Sequence, residues 1–203
     1  MTFKMTGHIM IRMPKLNVRE QLMEAGLRTL HTQGFNGSAV QDITQAAGVP
    51  KGSFYNHFES KEALALAALE LFWVNGTARR DLLVDASIDP VERLRLYFQK
   101  LAKALAKIKY GRGCLIGNFS SEMSSNPEFR ERLAKIYSDW SHTIERCVED
   151  AKSAGKLKVC LPPKALAAFL VNAWEGAVLR SKVELNGSAF EDFEQVVFNG
   201  FFD

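Results

Sequence analysis

An all-α fold is predicted for this chain of 203 residues on three observations. Helix starts recur, with an oxygen-bearing cap followed at the third position by an acid or amide: Asn17 to Glu20, Ser38 to Gln41, Asp89-Pro90 to Glu92, and Ser188 to Glu191. In that pattern cap and partner satisfy each other's orphan N–H groups. Helix stops recur as well, because Gly34, Gly48, Gly111, Gly155 and Gly187 each follow a periodic segment, and glycine readily takes the left-handed conformation that closes a helix. Strand signals are nearly absent.

Nine helices follow in order. The first, 17–33, starts at the Asn17 cap and gathers Leu22, Ala25, Gly26, Thr29 and Leu30 on one stripe. The second, 39–47, does the same with Val40, Ile43 and Ala47. The third, 51–58, follows Pro50, and its apolar ridge is Phe54 and Phe58 at i and i+4. The fourth, 61–84, opens at Ser60 with Glu62 in its first turn and continues through KEALALAALELFW. The fifth, 90–109, and the seventh, 127–154, each start from a cap followed by proline, at Asp89-Pro90 and Asn126-Pro127. The sixth covers 113–125. The eighth, 163–185, is apolar nearly all round and therefore covered on every side. The ninth spans 188–202.

Composition agrees with a chain that can bury a sizeable core, at 47% hydrophobic and 24% charged residues. Its longest apolar stretch, Leu166 to Leu179, is broken by Asn172 and Glu175 and is too short for a bilayer. The N-terminus carries no secretion signal, so a cytoplasmic protein is expected. Three cysteines, Cys114, Cys147 and Cys160, match neither a zinc site nor a redox pair. The net charge of +3 is unevenly spread: residues 1–61 hold seven bases against four acids, which is the whole excess. The N-terminal third is thus suited to a polyanion.

A very short third helix cannot stand alone, so Phe54 and Phe58 must anchor it. Its other side presents Gly52, Ser53 and Asn56, flanked by Tyr55 and His57, with Lys51 at its start. Between the second and third helices, AAGVP supplies small residues, a reversing glycine and a starting proline. This is a helix-turn-helix. Lys51, Ser53 and Asn56 would reach base edges of double-stranded DNA, Tyr55 and His57 would touch phosphate, and Gly52 would let the backbone come close. Lys61 and Ser38 are candidate phosphate contacts, and Arg12 and Lys15 form either a phosphate-touching arm or a solvated tail.

The segment GFNGSAVQDITQAAGVPKGSFYNHFESKEAL, Gly34 to Leu64, resembles the DNA-binding head of the TetR/AcrR family of bacterial repressors. The resemblance implies a homodimer, with a head over 1–60 and an effector-binding and dimerisation body over 61–203. A small-molecule effector filling the body would release the operator. Position by position, it places DNA contacts on Ser38, Gln41, Lys51, Ser53, Tyr55, Asn56, His57 and Lys61. Ala39 stands where the family often has a second hydroxyl.

Two body segments, GRGCLIGNFSSEM (Gly111 to Met123) and WEGAVLRSKVELN (Trp174 to Asn186), resemble the subgroup of regulators of N-ethylmaleimide reductase and of acrylate utilisation. That likeness implies a cysteine sensor at Cys114. The residues themselves place Cys114 after Arg112 in the first turn of a helix, where the dipole and a guanidinium would favour thiolate; the alternative is a small apolar residue wedged between helices. In the eighth helix, Trp174 and Glu175 are candidates for a pocket. Otherwise Trp174 is core and Glu175 pairs with Arg180 or Arg112. Asn118, Phe119, Glu122 and Tyr97 complete the effector-site candidates. Dimerisation is expected through 163–185 and 188–202.

No phosphate loop, nucleophile elbow or paired-acid pattern suggests catalysis. Asp139 and His142 share a helix face, but two ligands do not make a metal site, so no metal or cofactor is expected. A protein-binding helical adaptor and a thiol-dependent enzyme built on Cys114 are the alternatives to a DNA-binding regulator.

Overall fold

The computed structural model describes residues 17–203; Arg12 and Lys15 lie outside the described residues. Three elements form the N-terminal unit: α1 (Val18–Gln33), α2 (Val40–Ala47) and a 3₁₀ turn at Lys51–Asn56. α1 starts as its capping box predicts. Asn17 Oδ1 accepts the Glu20 N–H at 3.0 Å, and the Asn17 N–H donates to Glu20 Oε2 at 2.9 Å. α2 starts differently. Ser38 is buried, and its hydroxyl donates back to the carbonyls of Gly34 at 2.8 Å and Phe35 at 3.2 Å. Ala39 becomes the cap residue, and Asp42 Oδ2 accepts its N–H at 2.7 Å. Gly48, at φ 68°, closes α2 in the left-handed conformation expected there.

The third helix is a 3₁₀ turn over 51–56 rather than an α-helix over 51–58. Six residues between a proline without N–H and the next cap are too few to repay helix nucleation. The turn is held from behind by the two expected rings. Phe54 is fully buried and Phe58 nearly so, with ring centroids 5.8 Å apart, and Arg19 lies 5.2 Å over the Phe58 ring. Leu22, Ala25, Leu30, Ile43, Leu64 and Ala65 complete this small core.

The segment expected as one helix over 61–84 divides at Gly76 into α3 (Lys61–Asn75), α4 (Thr77–Arg80) and a second 3₁₀ turn at Asp81–Val84. Arg80 produces the break: its guanidinium lies 3.6 Å over the Trp73 ring and its Nη2 donates to the Trp73 carbonyl at 2.7 Å. That carbonyl also accepts the Gly76 N–H at 3.1 Å, so it is satisfied without a further helical turn. α5 (Pro90–Lys107), α6 (Leu115–Met123), α7 (Pro127–Ser153), α8 (Pro163–Glu184) and α9 (Ser188–Gly200) follow. Asp89 caps α5 and Asn126 caps α7 as predicted, each accepting two backbone N–H groups. α9 begins without the expected Ser188 cap, because Ser188 is its first helical residue.

Two glycines read as left-handed stops have other roles. Leu185, at φ 54°, takes the left-handed position instead of Gly187. Gly187 serves close approach, since a Cβ there would sit 2.9 Å from the Tyr110 hydroxyl. Likewise Lys109 and Tyr110, not Gly111, hold positive φ after α5. The body packs α7 against α5 and α8, and α8 against α9. An aromatic cluster of Phe98, Trp174, Phe190 and Phe193 fills the junction, with ring centroids 4.8 to 5.4 Å apart. Buried Arg93 bonds Asp150 at 2.8 Å and the Leu83 carbonyl at 3.2 Å, fastening the second 3₁₀ turn to α5 and α7.

Candidate functional site

The first 3₁₀ turn exposes the face expected of it. Lys51, Gly52, Tyr55, Asn56 and His57 are exposed, Tyr55 at 59%, while Ser53 is half-buried and Gln41 is exposed on α2. Tyr55 is steadied edge-on against Phe54 at 5.2 Å. Donors and acceptors therefore point outward from a buried aromatic base, without any acid of their own in the turn.

Two of the nine DNA-contact candidates are differently employed. Ser38 spends its hydroxyl on Gly34 and Phe35. Lys61 Nζ donates to the carbonyls of Phe35 and Ser38, each at 2.9 Å, and lies 4.0 Å over the Phe35 ring. A lysine so engaged is a clamp on the loop before α2 rather than a charge offered outward. The sequence alone could not distinguish these roles, because both place Lys61 close to the same loop.

In the body, a cavity of about 210 Å³ lies among α1, α3, α4, α5, α6, α7 and α8. Leu101, Leu105, Ile116, Trp140 and Val178 make its apolar wall, and His31, Arg79, Arg80, Tyr97, Arg112 and Cys114 also line it. Of the predicted effector residues, Tyr97, Cys114 and Trp174 border this space. Glu175 and Asn118 border a separate hollow that also touches Cys114. Phe119 does not line either one: it is fully buried, edge-on to Phe129 at 5.6 Å. Nor does Glu122, whose Oε2 accepts the Asn36 N–H at 2.8 Å and so joins α6 to the loop before α2.

Cys114 stands at the N-cap of α6, not within its first turn. Burial and the neighbouring Glu175 carboxyl raise the thiol well above its ordinary pKa, which opposes the thiolate expected from the helix dipole and Arg112. Burial also pushes Glu175 up to about 7, and its Oε1 is buried without a hydrogen-bond partner. Neither Arg112 nor Arg180 pairs with it; Arg180 pairs instead with Glu184 at 2.7 Å and Asp192 at 3.6 Å. Trp174 is nearly fully buried and stacks on Phe190 at 4.9 Å, so it is core as well as cavity wall.

His31, Arg79 and Arg80 are site residues that sequence reasoning did not single out. His31 Nε2 donates to the Gly113 carbonyl at 2.9 Å, which places the proton on that nitrogen. Burial lowers its pKa, reinforced by Arg112 and Lys182 and opposed by the Gly113 bond. For the two arginines, the available signal was the pairing of FW with RR on either side of Gly76. Among the described residues no group of three or more His, Cys, Asp or Glu is placed to hold a metal ion, and Asp139 is engaged by Lys135.

Elsewhere on the body, α8 and α9 leave apolar side chains outside. Phe169, Leu179, Val183 and Val196 are 48 to 79% exposed, and a groove of about 270 Å³ runs between the two helices beside Ala173 and Gly176. No helix among the described residues is long and apolar enough to cross a membrane.

Comparison with known proteins accords with this geometry. Residues 22–68 match the family described as bacterial regulatory proteins, tetR family, and residues 90–197 match the tetracyclin repressor-like C-terminal domain. The chain is 43% identical to the HTH-type transcriptional repressor DhaR of Mycobacterium sp. strain GP1, over 92% of this chain and 93% of that one. It is 35% identical to the transcriptional regulator AcuR of Cereibacter sphaeroides, over 86% and 80%. The crystal structure of reduced Escherichia coli NemR superposes with a TM-score of 0.78 at 26% identity, covering 91% of this chain and 96% of that one.

Proposed function

Since the chain belongs to the TetR family of bacterial regulatory proteins, we propose that it is a repressor released from its operator by a small molecule bound in the α1–α8 cavity. It is a DNA-binding transcriptional regulator and acts as a homodimer; its relatives are regulators rather than enzymes. We place it in the cytoplasm, with residues 1–60 as the DNA-binding head and 61–203 as the body. The observation that carries the proposal is the outward face of Lys51, Tyr55, Asn56 and His57 on two buried phenylalanines. Gln41 and the half-buried Ser53 join that face. Gly52, with nothing within 4 Å of where a Cβ would stand, leaves room for a phosphate or base edge. The exposed apolar stripe on α8 and α9 supports the pairing of two chains as a four-helix bundle.

Head and cavity communicate through specific ties. His31 joins α1 to Gly113 on the cavity wall, Glu122 joins α6 to Asn36, and Arg132 joins α7 to Glu70 of α3. A ligand that binds better when these contacts are rearranged shifts the population toward heads that do not fit two adjacent half-sites. The test is retention of DNA selected by the full-length protein from a random library. Affinity must fall steeply with salt as phosphate contacts release counterions, and a flat salt response would overturn the proposal.

The contact of Cys114 with Glu175 favours a second mode of release, by an electrophile. With an activated C=C bond, the S–H proton passes to Glu175, the sulfur bonds to the β-carbon, and the proton returns to the α-carbon. Intact mass after exposure to an unsaturated carbonyl, followed by DNA retention, decides this: an adduct at Cys114 without lost retention removes it.

A further inference from the structure

We propose that the cavity is selective for a small organic acid, its carboxylate held by Arg79 and Arg80 beside the Tyr97 hydroxyl and its apolar body lodged against Leu101, Leu105 and Trp140. The proposal rests on the assignment of this cavity as the effector pocket and names the ligand class that the pocket takes.

Its first support is unspent donor capacity. Arg79 Nε is buried and has no hydrogen-bond partner, and Arg79 makes no ion pair among the described residues. Arg80 commits Nη2 to the Trp73 carbonyl at 2.7 Å and Thr77 Oγ1 at 3.1 Å, which leaves Nη1 uncommitted. The two guanidinium groups converge: Arg80 Nη1 and Arg79 Nη2 lie 2.5 and 3.7 Å from where a Cβ on Gly76 would stand, and Gly76 borders the cavity. Two like charges brought together in partial burial cost free energy unless an anion completes the set.

The second support is the charge of the wall. Arg112 adds a third guanidinium, and no Asp or Glu lines the cavity among the described residues. Asp81 and Asp139 reach Arg80 only through longer-range attraction, while Glu175 faces Cys114 from the adjoining hollow. Burial lowers the pKa of Arg80, a sign that its charge is incompletely solvated. The planar forks of two arginines match a carboxylate. At about 210 Å³ the space falls below the roughly 300–1,000 Å³ of pockets for drug-sized ligands, so the acid is small. An apolar wall also selects against a free, strongly hydrated phosphate.

Calorimetric titration of the full-length protein with hexanoate and benzoate, each against its amide, tests this directly. The acids should bind at least about tenfold tighter than the amides, as expected for a hydrogen bond to a charged partner. That preference should vanish in Arg79→Met and shrink with added salt. Amides that match the acids, acids that do not bind, or inorganic phosphate that competes equally at the same ionic strength would each overturn the proposal. The comparison within the unaltered protein decides the matter even where Arg79→Met fails to fold. Operator retention separates the two levels. Acids that bind through Arg79 without releasing DNA would refute the effector assignment and leave the anion site, whereas amides that release DNA as well as acids would do the reverse.

Discussion

At the scale of single residues, environment overrides the chemistry that a sequence position suggests. Cys114 lies two residues after Arg112 and just before a helix, which on sequence alone argues for a reactive thiolate; burial, with the Glu175 carboxyl beside it, raises its pKa instead. Cys147 is held up to about 12 by burial and donates to the Pro90 carbonyl at 3.2 Å, whereas Cys160 is exposed. Brief alkylation at neutral pH should therefore label Cys160 first, Cys114 slowly and Cys147 last, as peptide mass spectrometry will read. Glu175 gives a second prediction. Its folded-state pKa, about 7, lies above the ordinary value of 4.5, so between those values the folded chain binds more protons than the unfolded one. Stability from this group is then fully present below 4.5 and lost as pH rises through 7. Glu175→Gln should leave the unfolding midpoint nearly unchanged around pH 5 and raise it at about pH 8, where the ionised carboxylate costs on the order of 3 kcal/mol. His31 opposes this trend, because its lowered pKa withdraws stability as pH falls below 6.5. The variant must therefore be compared with the unaltered protein at each pH.

At the scale of elements, the split between what packs and what contacts DNA is directly testable. Phe54→Ala removes a fully buried ring and should cost about 3–5 kcal/mol of head stability, abolishing DNA retention by loss of the turn itself. Lys51→Ala and Tyr55→Ala touch exposed groups, so they should weaken retention while thermal unfolding stays within about a degree or two. Equal loss of stability in both sets would mean that the turn is not a separate recognition face. Most elements were legible in the sequence, because caps such as Asn17, Asp89 and Asn126 act through neighbours only two or three residues away. The break at Gly76 was not, since it depends on Arg80 folding back over Trp73. The outward face of the first 3₁₀ turn was legible for a similar reason: its buried anchors Phe54 and Phe58 lie close in sequence. The cavity joins residues from His31 to Val178, and no local pattern reveals which of them face one another.

At the scale of the whole molecule, the proposed pairing of two chains through α8 and α9 accounts for their otherwise costly exposed stripe. Val183 is 79% exposed, and Val183→Glu should place unpaired charges within the paired helices. Sedimentation should then report a mass falling from twice 22.7 kDa toward the single chain, with DNA retention lost because two half-sites need two heads. A variant that remains a dimer would move the interface elsewhere. The path of α3 carries a geometrical corollary for release. It is unbroken from the Lys61 clamp to Trp73 and Gly76 at the cavity, so its 15 residues make a lever about 22 Å long. Pivoting it by some 5° would swing the far end by about 2 Å, and a twofold axis doubles that to about 4 Å, more than the roughly 3.4 Å step between successive base pairs. Occupancy of so small a chamber can thus put both heads out of phase with the groove.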